Sequence, residues 1–94
     1  MTLLLKDPEA MLDYGVDWDS DYLRGEDALT ASQWRVEPDE AGGIAIAAER
    51  FDAAGSSVTL VGGAPGRLYR LVNSVTTALG RADARSFTVR VEKR

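Results

Sequence analysis

The acidic run Asp17-Trp18-Asp19-Ser20-Asp21 sets three carboxylates at alternate positions, the opening spacing of a calcium loop. The pattern then departs from that loop. Tyr22 stands at the sixth position, where glycine makes the sharp turn, and Ala28 at the twelfth, where Glu closes the shell. The run reads instead as a solvated strand end in which Asp19 or Asp21 caps a short helical turn. Other chemistry fails on residue type. The chain has neither histidine nor cysteine, which removes the commonest general base, a histidine-based triad and a thiolate zinc site. Gly62-Gly63-Ala64-Pro65-Gly66 is glycine-rich, but its proline and missing lysine suit a corner rather than a phosphate cradle. Paired carboxylates for glycoside hydrolysis would need a deep cleft to raise one pKa, which a small sandwich does not offer. No catalytic residue, metal or cofactor is expected.

Aromatic and basic side chains remain as binding candidates. Tyr14, Trp18, Tyr22, Trp34 and Tyr69 invite a carbohydrate platform, yet the local periodicity puts Trp18 and Trp34 on core faces. Arg70, Arg81, Arg85 and Arg90 cluster on a terminal hairpin. Arg70 is expected outward with Val72, Ser74 and Thr76, and Arg90 outward with Thr88. An outward Val72 among Ser, Thr and Arg suits a docking sheet or an ordinary solvated face. Leu3, Leu4 and Leu5 are apolar but precede Pro8. They read as part of an arm over residues 1–10 that orders against a neighbour, or as the first strand of the fold itself.

The elements that hold these residues are short strands. Leu12, Tyr14, Val16 and Trp18 alternate with Asp13, Gly15, Asp17 and Asp19, a period of two that predicts a half-buried strand. Residues 19–27 are turn-rich around Tyr22-Leu23, with room for one helical turn. A strand follows over 28–36 with Trp34 and Val36 inward, then a loop over 38–43. Ile44, Ile46 and Ala48 predict a weaker strand whose alanines also suit a helix; Gly42-Gly43 and the β-rich context favour the strand. Strands over 58–61, 67–77 and 85–93 complete the series, the last two forming a hairpin with Phe87, Val89 and Val91 on one face. Pro65-Gly66-Arg67-Leu68-Tyr69 has the form of a tyrosine corner, in which the phenol bonds backbone a few residues upstream and locks the passage between two sheets. The expected architecture is one all-β domain over 1–94, an immunoglobulin- or fibronectin-III-like antiparallel sandwich of about seven strands, without the disulfide of an antibody domain.

Composition bounds the rest. A chain of 94 residues buries only about 60–65% of its unfolded surface, so the core is modest. The opening Met1–Leu5 is too short for a signal sequence and no stretch is long and apolar enough to span a membrane, so synthesis in a cytoplasm and no membrane partner are expected. The net charge of −4 argues against non-specific nucleic-acid binding. That mean conceals a polarity. Residues 1–52 hold thirteen acids and four bases, and residues 53–94 hold two acids and seven bases. Either the halves neutralise one another within the fold, or the surface is bipolar and favours head-to-tail contact between copies or an oriented dock on a partner.

The stretch from Tyr69-Arg-Leu-Val-Asn-Ser-Val-Thr-Thr-Ala-Leu-Gly-Arg81 to Arg85-Ser-Phe-Thr-Val-Arg-Val91 resembles the closing signature of a family of small tailed-phage virion proteins, the fibre–tail adaptor-like proteins. Leu12-Asp-Tyr, Asp17-Trp18, Tyr22-Leu23 and Ser32-Gln-Trp34 resemble its first half. The resemblance implies an Ig-like fold and a non-enzymatic role in the virion, made in the host cytoplasm. Multiple symmetric copies would form a ring or collar linking tail or head–tail parts to fibres. A capsid decoration protein and a glycan-binding adhesion domain are the alternatives. It implies no binding residues.

Overall fold

The computed structural model describes residues 3–21, 23 and 27–93. Seven strands and one helical turn follow one another: β1 (Leu3–Lys6), β2 (Leu12–Asp17), α1 (Trp18–Asp21), β3 (Leu29–Glu37), β4 (Ile44–Phe51), β5 (Gly55–Gly62), β6 (Leu68–Thr77) and β7 (Ala82–Val91). They form a four-stranded sheet in the order β1-β7-β6-β3 and a three-stranded sheet in the order β2-β5-β4. All pairings are antiparallel except β1 with β7. The orders 7-6-3 and 2-5-4 are those of the two sheets of an immunoglobulin sandwich, with the first strand carried on the edge beside the last.

Strand alternation builds the core. Val16 from β2, Val58 and Leu60 from β5, and Ile44 from β4 face Trp34 from β3, Leu71 and Val75 from β6, and Phe87, Val89 and Val91 from β7. Tyr14 meets Phe87 edge to face, with ring centroids 4.9 Å apart. Trp18 is wholly buried although it begins α1 rather than ending β2. The helical turn tucks the indole over the end of the core, and Leu23 is buried beside it in the same cluster. Tyr22 lies outside the described residues.

One open reading is decided and one expectation needs correction. Of the two readings of Leu3–Leu5, arm or first strand, the fold takes the strand: β1 runs parallel to β7, and the Glu92 N–H donates to the Lys6 carbonyl at 2.9 Å. Alternation turns Leu4 inward against the core and leaves Leu3 and Leu5 exposed. In β4, a register shift between Ile46 and Ala48 ends the inward run, so Ala48 lies beside Thr59 and is exposed. The extra residue of a bulge turns every following side chain over. Glu49 now sits opposite inward-facing Val58, and its carboxylate accepts from the Trp34 backbone N–H at 3.3 Å.

A polar chain crosses the core. Trp18 Nε1 donates to Asn73 Oδ1 (2.9 Å), and Asn73 Nδ2 donates to Ser32 Oγ (3.0 Å) and the Gln33 carbonyl (3.2 Å). Ser32 and Ser56 hydroxyls lie 2.6 Å apart, and Trp34 Nε1 donates to Ser56 Oγ at 2.7 Å. Ser56 donates to the Arg50 carbonyl (3.4 Å), which leaves Ser32 as the donor of the pair. The chain thereby joins β3 and β6 of one sheet to β5 of the other.

Candidate interaction surface

Antiparallel and parallel register set the outward side chains of the four-stranded sheet in rows. One row reads Leu5, Arg90, Leu68, and the next reads Leu3, Thr88, Arg70, Glu37. Leu3, Leu5 and Leu68 are 55, 45 and 58% exposed. Three large apolar side chains thus surround Arg90 at the β1 edge of the face. Sequence reading found Leu3 and Leu5 but not Leu68, whose place beside Arg90 depends on register.

The arginines of this face are already tied within the chain. Arg70 pairs with Glu37 at 3.0 Å and Arg35 with the same carboxylate at 3.2 Å. Hydrogen bonds from Arg35 and then Arg70 hold Glu37 below the ordinary carboxylate range. Arg90 pairs with Glu92 at 2.8 Å. Arg67 and Arg70 reach Glu40 and Glu37, so part of the charge polarity is neutralised between the two halves. These are exposed pairs that contribute little to stability.

Two candidates behave differently from expectation. Val72 points outward, between Arg35 and Ser86 in register, yet is only 2% exposed. Arg35 reaches past it to Glu37 and Ser74, so the valine offers no surface to a partner. Arg85 faces inward beside Asn73 and sets its guanidinium 4.6 Å from the Trp18 ring centre. Its role is to close the end of the core by a cation–π contact. Arg81 is exposed in the β6–β7 turn, apart from the leucine rows. In that turn Asp27 Oδ1 accepts from the Ala28 and Leu79 N–H groups at 3.0 and 3.1 Å.

The corner between β5 and β6 fixes where the outward face of the four-stranded sheet begins. Tyr69 Oη accepts from the Ala64 N–H at 3.0 Å and donates to Glu40 Oε1 at 3.4 Å. Gly63 has φ 112°, and a β-carbon there would meet Val91 Cγ2 at 2.7 Å, so only glycine passes. Gly66 (φ 82°) donates to the Val91 carbonyl at 2.8 Å, binding the corner to β7. Lys6 closes the same end. Only 3% exposed, it donates through Nζ to the Gly62 carbonyl at 2.7 Å and its neighbour Asp7's at 2.9 Å. Burial pushes its pKa down, partly offset by the Asp7 charge. Nothing in the sequence marked Lys6 or Asn73, because their burial arises only from strand pairing.

Across the sandwich, the outer face of the three-stranded sheet carries a shallow hollow of about 580 Å³ lined by Gly15, Asp17, Arg50, Phe51, Asp52, Gly55 and Ser57 among others. Register explains it: Gly15, Ser57 and Arg50 form one row and Asp17 with Gly55 the next. Two glycines leave the centre without side chains. Asp52 Oδ1 accepts from the Ala54 and Gly55 N–H groups, both at 2.9 Å, which lowers its pKa. Among the described residues no three potential ligands gather to hold a metal, and no helix is long and apolar enough to cross a membrane.

Residues 6–90 match a family model described as "Podophage GP4 fiber-tail adaptor protein gp77". The match takes in β2 to β6, the corner and β7 up to Arg90, and begins at Lys6, the last residue of β1. No curated protein matches the chain significantly.

Proposed function

The chain belongs to the podophage fibre–tail adaptor family, and from that premise we propose that it is a non-catalytic adaptor of a tailed-phage virion. It joins tail or head–tail components to fibres through protein–protein contacts and acts in multiple symmetric copies. Contact with neighbouring subunits, whether other virion proteins or further copies, runs through the outward face of the four-stranded sheet, with Leu3, Leu5, Arg70 and Arg90 as contact residues.

The observation that carries this reading beyond the family match is the placement of exposed apolar side chains. Leu3 and Leu5 on the edge strand β1 and Leu68 on β6 gather in two adjacent rows of one face, around Arg90 of β7. Proteins normally blunt such edges with charge, proline or a bulge. β1 has none of these on its outward side, since its single charge, Lys6, is buried. A contiguous exposed patch of this kind marks a contact surface.

Charge reversal tests it. Arg70→Glu with Arg90→Glu turns two exposed ion pairs into like-charge pairs on the surface and should leave the fold intact. The double variant is expected to be absent from assembled particles, scored by mass spectrometry of purified virions. Normal incorporation would remove this face as the docking surface. Copy number in a map of the particle separates the adaptor from a decoration protein, which would coat the shell in hundreds.

A further inference from the structure

The two outer faces of the sandwich are complementary to one another. We infer that copies of this chain associate head to tail, the Leu3–Leu5–Leu68 patch around Arg90 of one copy seating in the Gly15–Gly55 hollow of the next. The inference deepens the multi-copy part of the adaptor reading and rests on it.

Shape and charge agree. The patch spans three adjacent strands, β1, β7 and β6, and the hollow spans β2, β5 and β4. Both are therefore two strand spacings wide, roughly 10 Å. On the raised side, Leu5 and Leu68 flank Arg90, with Leu3 in the adjoining row. On the recessed side, Gly15 and Gly55 leave the floor bare, and Phe51, 44% exposed, stands at the rim in the inward row with Ser56 and Val16. Three of the six large exposed hydrophobics thus gather on the leucine face.

The charges take opposite signs. Arg35, Arg70 and Arg90 outnumber Glu37 and Glu92 on the leucine face. Asp13, Asp17 and Asp52 outnumber Arg50 on the glycine face. The acidic first half and basic second half of the sequence, although partly paired within the chain, therefore leave a polarity from sheet to sheet. Patch and hollow lie on opposite sides of each copy, so contact leaves one of each free. The association is heterologous, and it propagates until a ring closes or a filament grows.

The absence of native cysteine makes cross-linking specific. Leu5→Cys chains mixed with Gly15→Cys chains should give a crossed disulfide dimer on mild oxidation. Leu79→Cys, on an exposed turn outside both surfaces, is the control partner for Gly15→Cys. Crossed product no greater than this control, or a predominance of Leu5→Cys homodimers, overturns the inference. Gly15→Val fills the hollow without harming the fold. A β-carbon there meets only Ser56 O at 3.4 Å and Ser57 Cβ at 3.7 Å, and the residue's φ is not positive. Concentration-dependent association in sedimentation should be lost in that variant. If Gly15→Val chains enter virions at wild-type copy number, head-to-tail contact is refuted while the adaptor role stands. If wild-type chains are absent from virions, the adaptor role falls and the cross-linking result still decides the self-contact.

Discussion

Tyr69 and Asn73 sit four residues apart on β6 and both face inward, yet they hold the fold in different ways. The Tyr69 hydroxyl gives the Ala64 N–H its acceptor at the point where the chain passes between sheets. Tyr69→Phe keeps the ring's packing and removes the acceptor. It should lower unfolding free energy by about 1–2 kcal/mol in chemical denaturation, the usual cost of leaving a half-buried donor without a partner. A change under a few tenths would mean that water replaces the phenol and that the corner is held by its glycines alone. Lys6 is the other residue whose role is backbone service. Its ammonium replaces solvent at the Gly62 carbonyl, and its stem fills the end of the β1–β7 edge.

At the scale of elements, the two sheets are held together by apolar packing and by the polar chain from Trp18 to Trp34. Asn73 is its hub, 0% exposed, bonded to an indole, a hydroxyl and a carbonyl. Asn73→Leu is close in volume but leaves the Trp18 and Ser32 groups without this partner. A loss of about 2–4 kcal/mol is expected. The Trp18 indole N–H should also become fast in hydrogen exchange while that of Trp34, which bonds Ser56, stays protected. Equal loss of protection at both indoles would show that the chain behaves as one cooperative unit rather than through a hub. This polar chain joins the sheets in a chain that has no cysteine to do so.

For the molecule as a whole, stability depends on pH in two opposite ways. Burial alone would raise the Asp27 pKa, but the Thr77 side chain, the Leu79 and Ala28 N–H groups and the Arg81 charge together lower it. Glu37 and Asp52 are lowered as well. Each of these groups has a folded pKa below its unfolded value, so its contribution is complete above the unfolded value and is lost as pH falls through the folded one. The urea midpoint should therefore decline below about pH 4. Lys6 has the reverse sign. Its folded pKa is depressed, so the unfolded chain binds the proton more tightly and stability rises as pH climbs toward about 10.4. Lys6→Met should flatten that alkaline rise and leave the acid decline unchanged. An alkaline rise of equal size in both proteins would assign it to other groups.

Local chemistry was legible where neighbours in sequence are neighbours in space. The alternation through Leu12–Val16, the inward Phe87, Val89 and Val91, the closing hairpin and the Pro65–Tyr69 corner each follow from a period of two or from turn chemistry within a few residues. The missing histidine and cysteine narrowed the chemistry before any fold was considered. Tertiary structure alone decided the rest. Pairing β1 with β7 made Leu3–Lys6 a strand of the sandwich, buried Lys6 and set Leu5 beside Arg90. One bulge turned Ala48 outward and Glu49 toward Trp34, and register covered Val72 and turned Arg85 onto Trp18. The physical reason is common to all of them. A strand's periodicity assigns a side chain to one of two faces, whereas its burial and partners are set by the strand lying beside it, often tens of residues away in the chain.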